Sequence, residues 1–285
     1  MKLEQEPNNK MLGFADNSPY KQGKMACGYS IKSMRELKEL HKNENINVVI
    51  ASRAWAEIAS ELTKNRITIL GICCENRVIE YAPMTFEKLN FNSSIKLYAG
   101  DICDEIHMDD PYLYGLSINR SDKKHIYHDI TSNYPLPDEC IDSYQAEDVL
   151  EHIPQEKIVS VINEIYRILK QGALFRICLP DYFSPRLKRV SMKDSVGNVL
   201  YDAWGGGTYG EDGVGGGGHL WFPNYVTMSQ ILKQTKFGNV DFLCYHTEAE
   251  KLYMKDIDFS LGYIDRINSD MDVHSIYSMV IDCYK

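Results

Sequence analysis

The sequence predicts an α/β fold: a mostly parallel sheet of seven strands with helices on both faces, preceded by a smaller strand–helix–strand annex. Three observations carry this. Short apolar runs alternate with helical spacings from residue 95 onward, as in parallel sheets whose crossovers are helices. One run, Gln155–Lys170, places Ile158, Ile162, Ile165 and Leu169 on a single helical face. Upstream, NVVIAS (47–52), AWAEIASELTKN (54–65) and RITILGI (66–72) form a strand–helix–strand pattern within about thirty residues.

In chain order, a polar, asparagine-rich stretch of about thirty residues reads as a loosely ordered arm. SIKSMRELKELHKN then suggests a short helix. The turn Ser52-Arg53-Ala54 after the first annex strand holds no glycine, so residues 1–94 are not expected to cradle phosphates. They read as a structural annex or as the piece through which a homodimer forms. The strands of the second series are Ile95–Gly100, Tyr112–Ile118, His125–Ile130, Ile141–Ala146, Ala173–Leu179, Val240–Tyr245 and Ile276–Tyr284. Pro154 suits the first turn of the long helix and Gly172 its stop. Met228–Thr235 has helical spacing, and the last two strands, with no strong helix between them, suit an antiparallel pair. Residues 205–218 contain nine glycines in fourteen, costly to order and easy to move. The aromatic stretch His219-Leu220-Trp221-Phe222-Pro223 that follows favours a lid over a plain linker.

Composition narrows function. The 285 residues are 44% apolar and 25% charged, ordinary for a globular protein. No apolar run approaches the roughly 18 residues of a membrane span, so no membrane partner is expected. The eight cysteines form no CxxC pair and read as buried thiols of a reducing cytoplasm; no metal site is expected. Residues 1–94 carry 13 basic and 11 acidic side chains, residues 95–285 carry 18 and 29, and the whole chain is at −9. The acidic larger part argues against nucleic acid as a partner and for a small-molecule one.

Open α/β sheets bind ligands beyond the carboxyl ends of their strands. Those ends are Gly100-Asp101, Ser117, Asp129-Ile130, Ala146-Glu147-Asp148 and Pro180-Asp181-Tyr182. Four of the five carry a carboxylate, the group that accepts hydrogen bonds from ribose hydroxyls and amino groups. A ligand with a nucleoside and an ammonium suits such a rim. The cluster Asp101, Asp104, Glu105, His107, Asp109, Asp110 has no cation-loop spacing and reads as a solvated acidic loop.

Residues 128–181 also resemble the central part of class I S-adenosylmethionine-dependent methyltransferases. The matching features are Asp129, the turn Pro135-Leu136-Pro137-Asp138, Ile141-Asp142, the run Asp148-Val149-Leu150-Glu151-His152-Ile153, and Arg167-Ile168-Leu169-Lys170-Gln171-Gly172. The resemblance covers roughly 95–285 and implies a Rossmann-like catalytic domain there, with residues 182–226 as a glycine-rich insert. It implies S-adenosylmethionine as cofactor, with Gly100 and Asp101 beside its methionine part. Ser117 stands where the family has a ribose-binding acid, Asp129 and Ile130 would meet adenine, and Ala146 and Glu147 would face the sulfonium. The Glu151-His152 pair would be structural. The family's glycine loop is reduced here to Gly100-Asp101-Ile102-Cys103.

Methyl transfer needs alignment, water exclusion and, for an oxygen acceptor, a nearby base. His219, at the end of the glycine run and able to swing over the site, is the first candidate; Asp181 and Tyr182 follow. The expected activity is methylation of an oxygen, in preference to a nitrogen, on a small polar acceptor: a sugar, nucleotide-linked sugar or phosphorylated metabolite, of the kind used in surface-polysaccharide biosynthesis. The competing readings are a non-catalytic scaffold of the same fold and a nucleotide-dependent oxidoreductase, the latter disfavoured because no GxGxxG follows a first strand.

Overall fold

The computed structural model describes residues 10–44, 46–52, 54–74, 77–102, 105–119, 121–267, 272 and 275–285. Arg53, Cys103, Asp104 and the first nine residues of the N-terminal arm lie outside them. The chain divides into two compact units: one runs to Pro83 and includes Ser121–Lys123, and the other holds the rest from Met84.

In the N-terminal unit, β1 (Phe14–Ala15), β2 (Met25–Ala26) and β3 (Tyr29–Lys32) form a small sheet in the order β1-β3-β2. The helix α1 (Met34–Asn43) starts at a capping box in which Ser33 and Glu36 satisfy each other's amides. The anticipated strand–helix–strand follows: β4 (Asn47–Ile50), α2 (Trp55–Lys64) and β5 (Thr68–Cys74), with β4 and β5 parallel. An antiparallel β6 (Arg77–Glu80) completes this sheet. Ile50, Trp55, Ala59 and Leu62 are buried in a core of their own.

The larger unit is built on β7 (Lys96–Ala99), α3 (Glu105–Asp109), β8 (Leu113–Ser117), β9 (His125–Tyr127), β10 (Ile141–Glu147), α4 (Gln155–Ile168), β11 (Leu169–Pro180), α5 (Pro185–Val190), β12 (Met192–Lys193), β13 (Val199–Tyr201), β14 (Thr208–Gly210), β15 (Gly213–Gly215), α6 (Tyr225–Leu232), β16 (Asn239–His246), β17 (Leu252–Met254) and β18 (Ser278–Tyr284). Eight strands form one sheet in the order β17-β16-β18-β11-β10-β7-β8-β9. The pairs from β9 through β11 are parallel, and β18 runs antiparallel to both β11 and β16. All seven anticipated strands are present; the addition is β17, three residues paired to the edge of β16.

The chain enters the sheet at β7, steps outward to β9, then returns to β10 on the other side of β7. The order therefore reverses between β7 and β10, and the crevice beyond their carboxyl ends is where such sheets bind ligands.

Residues alternate between the two faces of the sheet. Tyr144 and Ala146 of β10 and Phe175, Ile177 and Leu179 of β11 pack in the core that includes α4 and α6. The helix α4 ends at Ile168, two residues earlier than its periodicity suggests, because Leu169 is already extended and paired with Ile141. The helix α6 begins at Tyr225, earlier than the spacing alone indicates, because Asn224 and Thr227 form a capping box.

The opposite face of β10, β11 and β18 has a different cover. Cys178, Cys244 and Val280 pack against Ile264, Ile267 and Ile276, on a segment that includes the 3-10 turn Phe259–Leu261. Polar groups fasten it. The fully buried Arg176 donates to both oxygens of Asp282 (2.8 and 2.7 Å) and to the carbonyls of Asp258 (2.9 Å) and Gly262 (2.7 Å). Gln145 donates to the Tyr263 carbonyl at 2.6 Å.

At the far end of α4, Arg167 donates to the carbonyls of Tyr134 and Leu136 and to the carboxylates of Glu164 and Asp138. This clamp fixes the Pro135-Leu136-Pro137 turn. The Arg167 hydrogen bond holds the Glu164 carboxyl below its ordinary value of 4.5. A carboxyl depressed by folding contributes stability above its unfolded pKa and loses it as pH falls through the folded one. Glu164→Gln is expected to cost about 1–2 kcal/mol at pH 7. The gap to wild type should close on acidification from pH ~5 to ~3, as read by urea unfolding at several pH values. A gap that stays constant would remove this pair as a source of acid sensitivity.

Candidate active site

At the switch point, Gly100 follows β7 with φ +102, a conformation that glycine holds without a steric cost. Its amide donates to the Leu116 carbonyl at 2.8 Å. The reduced loop after it is fastened from below: the Ile102 amide donates to Nε2 of the fully buried His125 at 2.9 Å. Asp101 is half-buried directly after Gly100. Asp129 is exposed, with Oδ1 accepting the Thr131 amide at 2.9 Å, and Ile130 beside it is buried. Ser117 is only 1% exposed, and its hydroxyl accepts the Asn119 amide at 2.9 Å. It is folded into a turn and does not stand out as a ribose receptor.

Beyond β10, Ala146 is buried and Glu147 accepts the backbone amides of Arg266 (2.9 Å) and Asp265 (3.4 Å). Burial raises the Glu147 carboxyl despite these bonds. Asp148 pairs with the Arg266 guanidinium. Glu147 thus anchors the 258–267 segment that covers the sheet.

Asp181, at the end of β11, is fully buried. Its Oδ1 accepts the Phe183 amide at 3.0 Å, and its Oδ2 accepts the His246 amide and bonds His246 Nδ1 at 3.0 Å. With both oxygens engaged, it joins β11 to β16.

Tyr182, His219 and Asp202 form a buried chain. The Tyr182 hydroxyl lies 2.8 Å from Asp202 Oδ2 and 2.6 Å from His219 Nδ1. A phenol has one hydrogen and Asp202 can only accept it, so Tyr182 accepts from His219 Nδ1–H. His219 Nε2 is then the bare nitrogen. Burial and the neighbouring His152 lower the His219 pKa to about 4, so the imidazole is neutral at physiological pH. Burial and Asp202 push the Tyr182 phenol far up.

The glycine-rich run before His219 is ordered against the imidazole. That run folds back as the hairpin β14–β15. At Gly205 an added Cβ would lie 2.5 Å from the His219 ring, so the absence of a side chain lets the insert lie flat against the imidazole. The Leu220 amide donates to the Glu151 carbonyl (2.8 Å) and the Trp221 indole to the Leu150 carbonyl (2.9 Å), strapping the His219 segment to the end of β10.

These straps bring His219 onto Glu151 and His152. Glu151 is completely buried, neither carboxylate oxygen has a hydrogen-bond partner, and burial raises its pKa strongly. His219 Nε2 lies 3.7 Å from Glu151 Oε1, and the His152 and His219 rings meet edge to face at 4.8 Å. In the sequence Glu151-His152 reads as structural, and Asp202 carries no signal of its own. The Glu-His dipeptide at the strand end and the lone histidine closing the glycine run were the available signals.

Adjoining Tyr182 is a cavity of about 460 Å³ lined by Lys188, Lys193, Asn198, Trp221 and Asn224 among others. Of the acidic stretch after Gly100, Asp110 is tied to Lys96 at 2.9 Å, and Asp104 is outside the described residues. Among the described residues, Cys27, Cys73, Cys140, Cys178, Cys244 and Cys283 are free thiols, and no described helix is long and apolar enough to cross a membrane.

Residues 50–177 match the family model of the methyltransferase domain, a stretch that starts ahead of β7. No curated protein matches the chain. Among solved structures, the chain is similar to a SAM-dependent methyltransferase from Archaeoglobus fulgidus (15% identity, 68% of this chain and 88% of that one, TM-score 0.41). It is likewise similar to one from Methanosarcina mazei (12% identity, 70% and 95%, TM-score 0.41). A third is described as a possible histamine N-methyltransferase from Thermotoga maritima (14% identity, 68% and 82%, TM-score 0.38). The domain match runs from the end of β4 into β11 and takes in the switch point and the motif residues on either side of it, so that residues 50–177 resemble a methyltransferase domain.

Proposed function

We propose that the enzyme methylates an oxygen of a small polar acceptor, such as a sugar, nucleotide-linked sugar or phosphorylated metabolite, in surface-polysaccharide biosynthesis. The observation that carries the acceptor class is the cavity beside Tyr182. Its volume of about 460 Å³ is in the range of small-molecule sites, and Lys188, Lys193, Asn198 and Asn224 in its wall suit hydroxyl and anionic groups.

S-adenosylmethionine supplies an electrophilic methyl group when bound. The residues fit it in part. Gly100 leaves the backbone open at the strand end, and Asp129 with Ile130 offers an acceptor and an apolar wall for adenine. Asp101 is next to Gly100 for the methionine part, and Ala146 ends β10 beside it. The buried Ser117 and the anchored Glu147 are fold residues in this reading. His219 acts on the acceptor: its Nε2 lone pair takes the hydroxyl hydrogen, while Tyr182 and Asp202 hold the Nδ1 proton and steady the cation that results. Asp181 positions Tyr182 through the backbone.

Calorimetric titration with S-adenosylhomocysteine tests the cofactor assignment, followed by incubation of the enzyme with labelled S-adenosylmethionine and a panel of sugar nucleotides. Asp129→Ala is expected to weaken S-adenosylhomocysteine about 10-fold. Unchanged affinity would remove Asp129 from the adenine site, and label found on nitrogen acceptors only would overturn the oxygen assignment.

A further inference from the structure

We infer that Glu151, His152 and His219 form a binding site for one divalent transition-metal ion. Each offers one ligand atom, and the three atoms lie within 4.8 Å of one another. An ion with bonds of about 2.0–2.2 Å separates neighbouring ligands by roughly 3–3.5 Å, so the 3.7 Å between His219 Nε2 and Glu151 Oε1 needs only a small contraction.

The surroundings are those of a ligand set. Metal-bound imidazoles commonly donate their second N–H to an oxygen, which fixes the tautomer and aims the bare nitrogen. Both histidines do so here: His219 Nδ1 toward the Tyr182 hydroxyl, itself bonded to Asp202, and His152 Nδ1 toward the Gly218 carbonyl at 3.2 Å. The independent observation is Glu151, which has no exposed surface and no hydrogen-bond partner for either oxygen. A buried carboxylate without donors is costly, and a cation between it and two bare imidazole nitrogens removes that cost.

Two imidazoles and one carboxylate suit Zn²⁺, Co²⁺, Fe²⁺ or Mn²⁺ better than the hard ions that prefer oxygen alone. Three protein ligands leave a position open for an oxygen ligand. Ion and proton are alternatives for the His219 lone pair: with the ion bound, an acceptor hydroxyl meets the ion in place of the imidazole. The site itself stands independently of the acceptor assignment.

The 285-residue chain, stripped with a chelator, would be titrated with Co²⁺ alone, following visible d–d absorption and metal content after gel filtration. Thermal melting would be recorded with and without the ion. About one equivalent is expected, with a rise in melting temperature that depends on Co²⁺ concentration. His152→Asn and Glu151→Gln should each weaken Co²⁺ at least about 100-fold and abolish that rise, while Tyr182→Phe weakens it about 10-fold. His152 is half-buried, so its variant tests the site even if Glu151→Gln fails to fold. S-adenosylhomocysteine binding, measured in parallel, separates this site from the methyltransferase assignment. Intact S-adenosylhomocysteine binding without Co²⁺ uptake, or uptake that both ligand variants retain, would overturn the metal site alone.

Discussion

Arg176→Met is expected to destabilise the larger unit by about 3–5 kcal/mol, because it strands a buried carboxylate. Asp282 is 3% exposed, and without the guanidinium it has lost both of its charge-assisted bonds. The Asp258 and Gly262 carbonyls lose their donor as well. The double variant Arg176→Met, Asp282→Leu should recover much of the loss, since a buried ion pair is often matched by apolar residues of similar volume. The carbonyls bonded to Arg176 limit that recovery. Urea unfolding of both variants is the measurement. A single-variant loss below about 1 kcal/mol would show that the 258–267 segment is held by its apolar contacts instead.

His219→Ala should lower kcat by about 10²–10⁴ while leaving the affinity for S-adenosylhomocysteine within a few-fold of wild type. The imidazole is buried, neutral and held by Tyr182, Gly205 and the straps to β10, so its removal deletes the lone pair without touching Gly100 or Asp129. Single-turnover kinetics with an identified acceptor, beside calorimetry with S-adenosylhomocysteine, separates the two effects. A variant that keeps both turnover and affinity would remove His219 from the reaction.

The sheet was legible because each strand carries its own signal: an apolar run of the right length, bounded by turn residues. The edge strand β17 was not, since Leu-Tyr-Met between lysines is too short to show a period. The cover over the second face was also hidden. Its attachment runs from Arg176 to Asp258, Gly262 and Asp282, pairings distant in sequence and made largely to backbone carbonyls, which leave no pattern in the residues that supply them. The candidate site divides in the same way. Gly100, Asp129 and the end of β10 could be located because strand ends can be located. The meeting of His219 with Glu151 and His152 depends on one backbone strap, one indole strap and a glycine packed on an imidazole. The glycine run itself reads two ways for a related reason. Glycine permits motion, but it also permits close contact, and composition does not distinguish the two.

The hairpin in the insert has a consequence for how this enzyme can change. At Gly205 and Gly218 an added Cβ would collide with the His219 ring or with nearby backbone, whereas Tyr209 at the other end of the hairpin is exposed. Side-chain additions are thus accommodated at one end only: the outer turn has room for them, while the base against the imidazole does not. In the proposed reaction, the outer end of such an insert can change without disturbing His219.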